Sequence, residues 1–405
     1  MGARTTSDSA LDPGLQKFRA EVRAFTATLP SILAGVDGPS ERGRRYLAAR
    51  YDADLGALDY PAEDGGRNLD HDHVRAFREE IVAAGLGNPA AGFGIGIDMC
   101  LPTLRDHGSP ELRRRFLRPG LRGEEVWCQL YSEPGAGSDL AGLTTRAELD
   151  GEEWVATGQK VWTSGADEAD LGILLARTDW NVPKHAGLTM LVLPMDQPGV
   201  EVRPLHQMTG VAHFNEVFMD GARIPADWVV GRQGDGWRMA VALLAHERSS
   251  IGKGGGRQPV GTDRLVDLAR ARGRTSDPLV RQDLARLHSG RRIISWLNAR
   301  PDMHPSIGKL WRTRQGRDAA EVTARLAFPG GAAWIGDRMG TTEPSSRSEP
   351  TPDHWAYGFC DSRALSLGGG TDEVQKNTLG ERVLGLPREP ATDRDLPFSQ
   401  VPRNA

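Results

Sequence analysis

Four short segments carry residue types that chemistry needs. Glu247 follows Leu243 and Leu244 by one helical turn and lies on the apolar stripe of Trp237, Val241, Leu244 and Ile251. A carboxylate on a buried stripe is costly unless it is paired or neutral, so the placement predicts a raised pKa and an acid/base role. A structural ion pair with an Arg from another helix answers the same placement. Arg248 does not face Glu247, because adjacent residues point to different sides of a helix. Ser132-Glu-Pro-Gly-Ala-Gly-Ser-Asp139 offers two hydroxyls, Ser132 and Ser138, and two glycines, Gly135 and Gly137, that let backbone approach a flat or anionic ligand. An ordinary Gly-rich turn has the same composition. Gly158-Gln-Lys-Val-Trp-Thr-Ser164 puts Trp162 and Ser164 on one face of a strand by alternation, an indole beside a hydroxyl that suits an aromatic cofactor or simply a core. Leu367-Gly-Gly-Gly-Thr-Asp-Glu-Val374 is a Gly loop entering a helix, with Thr371 as N-cap and Asp372 and Glu373 in the first turn. Such a helix start binds an anion or a carbonyl oxygen, or is only well capped.

Composition narrows the field. The 405 residues carry 50 basic and 54 acidic side chains, a net charge of −4, which gives no field for nucleic acid or an anionic membrane. The 49 glycines are about 12% of the chain, above the roughly 7% of average usage, but have no period-three pattern, which excludes collagen. Cys100, Cys128 and Cys360 form no CxxC pair, so neither a disulfide framework nor a zinc site is expected. His71-Asp-His73 reads as a solvated helix start rather than a metal site, and Gly92-Phe-Gly-Ile-Gly96 lacks the strand and acid of a dinucleotide fingerprint. The N-terminus has no apolar signal segment, and a cytoplasmic protein is expected.

The elements that must hold these residues fall into three textures. Residues 1–125 read as mostly helical, opening on Asp12-Pro13 as N-cap and N1, with Leu15, Phe18, Val22 and Phe25 at helical spacing. Further helices are expected at 70–84 and 109–118. Residues 126–233 switch to strands: a hairpin centred on Asp150-Gly151, apolar runs at 171–176, 188–193 and 216–219, and a turn at Asp220-Gly221. Residues 234–388 return to helices, at 262–272, 278–298 and 305–327, and 389–405 is a polar tail.

The segments in this order resemble the acyl-CoA dehydrogenase family over residues 12–390. The resemblance rests on WCQLYSEPGAGSDLAGLTTRA (127–147), GGTDEVQKNTLGERVLGLPRE (369–389), GQKVWTS (158–164) and YPAEDGG (60–66). It implies an α+β fold: an N-terminal α domain, a middle β-barrel or sandwich domain and a C-terminal four-helix bundle. It also implies bound FAD, an acyl-CoA substrate, an electron-transfer flavoprotein as acceptor and a homo- or hetero-oligomer. Carried over by position, Ser132 bonds the flavin ring, Trp162 packs on it and Ser164 reaches its N5 edge. Ser138 stands at the entry to the acyl-CoA site, where it touches cofactor and substrate. Thr371 and Gln375 help hold FAD, the latter from a neighbouring subunit.

The family reaction removes the α-proton of the thioester with a carboxylate while the β-hydrogen leaves as hydride to the flavin. Many members place the base directly before the Gly-Thr of the C-terminal signature; here that residue is Gly369. Others place it on a bundle helix directly before an Arg, which Glu247-Arg248 matches, with Arg248 assigned to substrate binding. Gly369 keeps a backbone N–H for the thioester carbonyl, and its missing side chain suits a branched or bulky acyl group such as a sterol side chain. The usual Arg-x-x-Phe-Gly segment reads RARGRTSDP (270–278), so Arg272 or Arg274 is the expected FAD-phosphate contact. Two other readings stay open on this fold: a flavin oxidase or monooxygenase, and a half-site subunit of a hetero-oligomer.

Overall fold

A computed structural model of the chain describes residues 12–85, 89–252, 261–298, 300, 303–329 and 352–402, without the side chains of 91, 248–252 and 352–354. The N-terminal helices are α1 (Pro13–Ile32), α2 (Pro39–Asp52), α3 (His71–Ala83), α4 (Leu101–His107) and α5 (Pro110–Leu121). Pro13 opens α1 as expected, but Asp12 makes no side-chain capping bond. Phe18, Val22, Phe25 and Leu29 of α1 are buried with Tyr46 and Leu47 of α2 and Ala76 and Phe77 of α3. Each such large side chain contributes about 1.5–3 kcal/mol by leaving water. Asp70 caps α3 by accepting from the N–H of Asp72 and His73, which accounts for the His71-Asp-His73 segment as a helix start. Among the described residues no His, Cys, Asp and Glu cluster suits a metal ion, and no helix is long and apolar enough to cross a membrane.

One buried carboxylate fastens α1 to α3. Glu80 accepts from Arg23 Nε at 2.8 Å and from Arg19 Nη1 at 2.9 Å. The hydrogen bond from Arg23 holds the Glu80 pKa below its ordinary value; burial opposes the shift and Arg19 adds to it. A depressed carboxylate stabilises the fold above its unfolded pKa, about 4.3, and the contribution fades as pH falls through the folded value. Glu80→Gln is therefore expected to lose about 2 kcal/mol at pH 7, with the deficit against the parent shrinking towards pH 3. Urea denaturation of both proteins at the two pH values measures this; a deficit that grows on acidification contradicts it.

The middle region is one mixed sheet of eight strands: β1 (Trp127–Leu130), β2 (Arg146–Asp150), β3 (Glu153–Ser164), β4 (Leu171–Arg177), β5 (Leu188–Pro194), β6 (Val200–Leu205), β7 (Phe214–Pro225) and β8 (Val229–Val230). Its order is β6-β7-β3-β2-β4-β5-β8, with β1 parallel to β4. The β2–β3 hairpin forms where Asp150-Gly151 predicts it, with Asp150 opposite Glu153 and Gly151 at φ +64°. Asp220-Gly221 is not the turn its dipeptide suggests. It lies inside β7, where Gly221 at φ +71° kinks the strand and its N–H donates to Thr157 Oγ1 at 3.3 Å. A positive-φ glycine within a pair bends a strand as readily as it reverses one.

The C-terminal region is helical: α6 (Gly236–Gly252), α7 (Thr262–Ala271), α8 (Pro278–Asn298), α9 (Pro305–Ala327), α10 (Pro352–Asp361) and α11 (Asp372–Arg382). Leu265, Ala269, Val280, Leu287, Ala319, Val322 and Leu326 form the core of α7, α8 and α9. The chain divides into two compact units. One holds Met1–Tyr131, Thr144–Val202 and Val217–His246; the other holds Ser132–Leu143, Arg203–Glu216 and Glu247–Ala405.

Candidate active site

Helix α6 buries a different face from the one its sequence suggests. Met239, Ala240 and Leu243 are fully buried, whereas Val241 of the predicted stripe is 45% exposed. Packing selects the narrower row of Gly236, Ala240 and Leu243, because Gly236 sits so close to the Leu188 backbone that a Cβ would lie 2.6 Å from it. Glu247 extends this row by one further turn and is half-buried. The side chains of Arg248 and Ile251 lie outside the described residues.

In the same unit as Glu247, the Gly loop before α11 is tightly held. Gly369 and Gly370 adopt φ +66° and +82°, consecutive left-handed conformations that an L side chain pays about 1–2 kcal/mol to enter. Thr371 caps α11, its Oγ1 accepting from the Val374 N–H at 3.2 Å. Helix α9 grips the loop along one face, at positions four residues apart. Lys309 Nζ donates to Asp372 Oδ1 at 2.8 Å, Thr313 Oγ1 to the Leu365 carbonyl at 3.1 Å, and Arg317 Nη1 to Ser366 Oγ at 3.2 Å. Gln375, 6% exposed, donates through Nε2 to the Gly369 carbonyl at 3.0 Å.

This arrangement brings Glu247 and Gly369 together. A Cβ built on Gly369 would stand 3.8 Å from Glu247 Oε1, and among the described residues no other heavy atom counts among its neighbours within 4 Å. The Gly369 N–H donates to no backbone acceptor among the described residues. A carboxylate therefore lies near a donor that has no backbone acceptor among the described residues, with room left by the absent side chain. A base and a carbonyl-binding group need that pairing to draw a proton from the carbon next to a carbonyl.

The Ser132 segment forms a tight reversal, with Glu133 and Ala136 exchanging backbone bonds at 3.0 and 3.1 Å. Ser132 is half-buried and Ser138 exposed. Gly135 and Gly137 have no positive φ, and a Cβ on either would meet nothing within 4 Å. Neither conformation nor packing among the described residues demands these glycines. They leave an open cradle of the kind a flat cofactor fills.

In the other unit, the end of β3 departs from simple alternation. Trp154, Ala156 and Lys160 face inward, which would carry Trp162 inward too. Val161 is also buried, the phase slips by one, and Trp162 at φ +62° turns its indole outward to 58% exposure. Left-handed backbone is common for Asn and Asp but strained for a bulky residue, and such strain gathers at functional sites. Ser164, half-buried, ends the strand. Taken each within its own unit, an exposed indole on strained backbone and an open Gly135–Gly137 cradle are of the chemistry that a flat aromatic cofactor, such as the flavin the sequence resemblance implies, can use.

Two features escaped the sequence reading. Lys160 is fully buried and its Nζ donates to the carbonyls of Tyr131 at 3.0 Å and Leu175 at 2.8 Å. The α9 face of Lys309, Thr313 and Arg317 carries a signal that was available, polar residues at i, i+4 and i+8. Of the two arginines assigned to FAD phosphates, Arg274 pairs with Asp277 at 2.7 Å, whereas Arg272 is exposed and its side chain has no partner among the described residues.

Comparison with known proteins agrees with this fold. Residues 12–124 match the family description "Acyl-CoA dehydrogenase, N-terminal domain" and residues 128–222 "Acyl-CoA dehydrogenase, middle domain". The acyl-CoA dehydrogenase IpdE1 of Mycobacterium tuberculosis is 40% identical, over 93% of this chain and 98% of its own. Among solved structures, the "Tcur3481-Tcur3483 steroid ACAD" aligns with a TM-score of 0.74 at 29% identity, covering 95% of this chain and 100% of that one. The ChsE4-ChsE5 complex from M. tuberculosis aligns at 0.69 and 25% identity, covering 95% and 100%.

Proposed function

The chain belongs to the acyl-CoA dehydrogenase family, and from that premise we propose that it removes the α-proton of a branched or bulky acyl-CoA with Glu247, using FAD. The observation that carries this reading is the Glu247 carboxylate beside Gly369, whose N–H is unused within the backbone.

A thioester α-proton is a very weak acid. It becomes removable only if charge arriving on the carbonyl oxygen is stabilised as it forms. The Gly369 N–H supplies that donor, and Glu247 takes the proton from the adjacent carbon. By the family resemblance, Ser132, Trp162 and Ser164 would hold the flavin ring, Thr371 would help hold FAD, and Ser138 would lie at the acyl-CoA entry. Bound FAD would supply the acceptor for the β-hydrogen as hydride, with an electron-transfer flavoprotein as the outside oxidant. With Arg274 paired to Asp277, Arg272 is the remaining phosphate contact of this chain. The altered RARGRTSDP segment, and the paired names in the titles of the two solved relatives, support assembly with a related subunit.

The acyl group is assigned as bulky because, among the described residues, only Glu247 approaches the side-chain position of residue 369. The steroid named in one relative's title points the same way. Anaerobic mixing of the purified holoenzyme with butyryl-, octanoyl-, isobutyryl- and 3-cyclohexylpropanoyl-CoA tests both parts. Flavin bleaching is expected, fastest with the branched and ring-bearing thioesters. Preference for butyryl-CoA overturns the assignment of bulk, and full FAD occupancy without bleaching by any thioester overturns the reaction.

A further inference from the structure

We propose that Gln375 is a positioning residue that aims the Gly369 N–H, an inference that rests on the dehydrogenase reading of the same site. The N–H lies between two anchored points. Upstream, the Gly368 N–H donates to the Ala364 carbonyl at 3.0 Å. Downstream, the Gly369 carbonyl accepts from Gln375 Nε2 at 3.0 Å. The link between these points is two glycines, the residues with the widest freedom about φ and ψ. Without the downstream anchor, the Gly368–Gly369 peptide plane can rotate and carry the donor away from the thioester oxygen.

Three observations fit an aiming role better than general support. Gln375 is the buried residue of α11, although a polar amide gains little from burial unless it is bonded. Its donor faces inward to the loop rather than outward to a cofactor. Gly370 completes the fit, since a Cβ there would stand 2.7 Å from Gln375 Nε2. The loop and the amide are thus shaped to each other. The α9 face fixes the loop on its other flank through Leu365, Ser366 and Asp372, and Gln375 meets the loop at residues 369 and 370.

The test uses the full-length holoenzyme and three variants. Gln375→Met keeps length but removes the donor, Gln375→Glu puts a carboxylate against the carbonyl, and Gly370→Ala displaces the amide from the other side. Amide hydrogen exchange of the 366–371 segment, without substrate, reports the loop. kcat and KM for 3-cyclohexylpropanoyl-CoA report the chemistry, and flavin absorbance reports FAD. All three variants are expected to speed exchange in that segment and to lower kcat roughly 10- to 100-fold, as for a small misplacement of a catalytic group, with KM and FAD content near parental values. Unchanged exchange overturns the proposal, as does faster exchange with parental kcat. Loss of FAD in step with kcat makes Gln375 a cofactor ligand and also overturns it. Faster exchange in the variants of a parent inert towards the thioester upholds the anchoring and places the failure in the dehydrogenase reading instead.

Discussion

Glu247→Gln is expected to slow flavin bleaching by an acyl-CoA by about 10³-fold while leaving bound FAD and the fold intact. The amide has almost the same shape as the carboxylate, so the row of Gly236, Ala240 and Leu243 that seats α6 is untouched. What disappears is an oxygen able to accept a proton. Gly369 has no side chain, its N–H only donates and its carbonyl is taken by Gln375, so it offers no replacement base. KM should move little, because the loss is felt in the proton transfer and not in holding the thioester. Stopped-flow absorbance under anaerobic conditions reads the rate directly. A decrease of less than about tenfold would remove Glu247 as the base.

Lys160→Met is expected to carry the largest effect on stability, a loss of about 3 kcal/mol in urea denaturation. Two influences compete. Removing a buried ammonium relieves its desolvation, and a methionine of similar length gains apolar burial. Against this, the carbonyls of Tyr131 and Leu175 each lose a charge-assisted partner that accepts no substitute from Met. At about 1.5–3 kcal/mol for each bond, the two losses outweigh the relief. The site lies two residues before Trp162, so the strained end of β3 should relax as well. A variant as stable as the parent would show that the carbonyls find other donors.

Much of the fold was legible because local chemistry and tertiary need agree. Asp150-Gly151 marks a hairpin, Thr371 caps a helix, and the apolar spacing of Leu15, Phe18, Val22 and Phe25 matches the buried face of α1. The candidate base was legible for a partly different reason from the one given by periodicity. Glu247 follows the buried row of α6 through Leu243, whereas Val241 of the predicted stripe is exposed and Trp237 and Leu244 are only half-buried. Helical periodicity identifies a set of possible faces; the close approach of Gly236 to the Leu188 backbone decides among them. The outward Trp162 was illegible because a single positive φ reverses the alternation on which strand reading depends. Lys160 was illegible because a buried lysine is recognised only by its acceptors, and these lie far off in the chain, at 131 and 175.

The grip of α9 on the Gly loop has an evolutionary consequence. Lys309, Thr313, Arg317 and Gln375 fix the loop through the carbonyls of 365 and 369 and the side chains of 366 and 372. None of these bonds uses the side chain at 369. The identity of that residue can therefore drift without dismantling the frame that presents its N–H. A lineage can lose a carboxylate there once another arises across the gap on α6, and enlarge its substrate range in the same step. On the proposed reading of the site, the proton acceptor is transferable between helix and loop while the oxyanion donor stays in place.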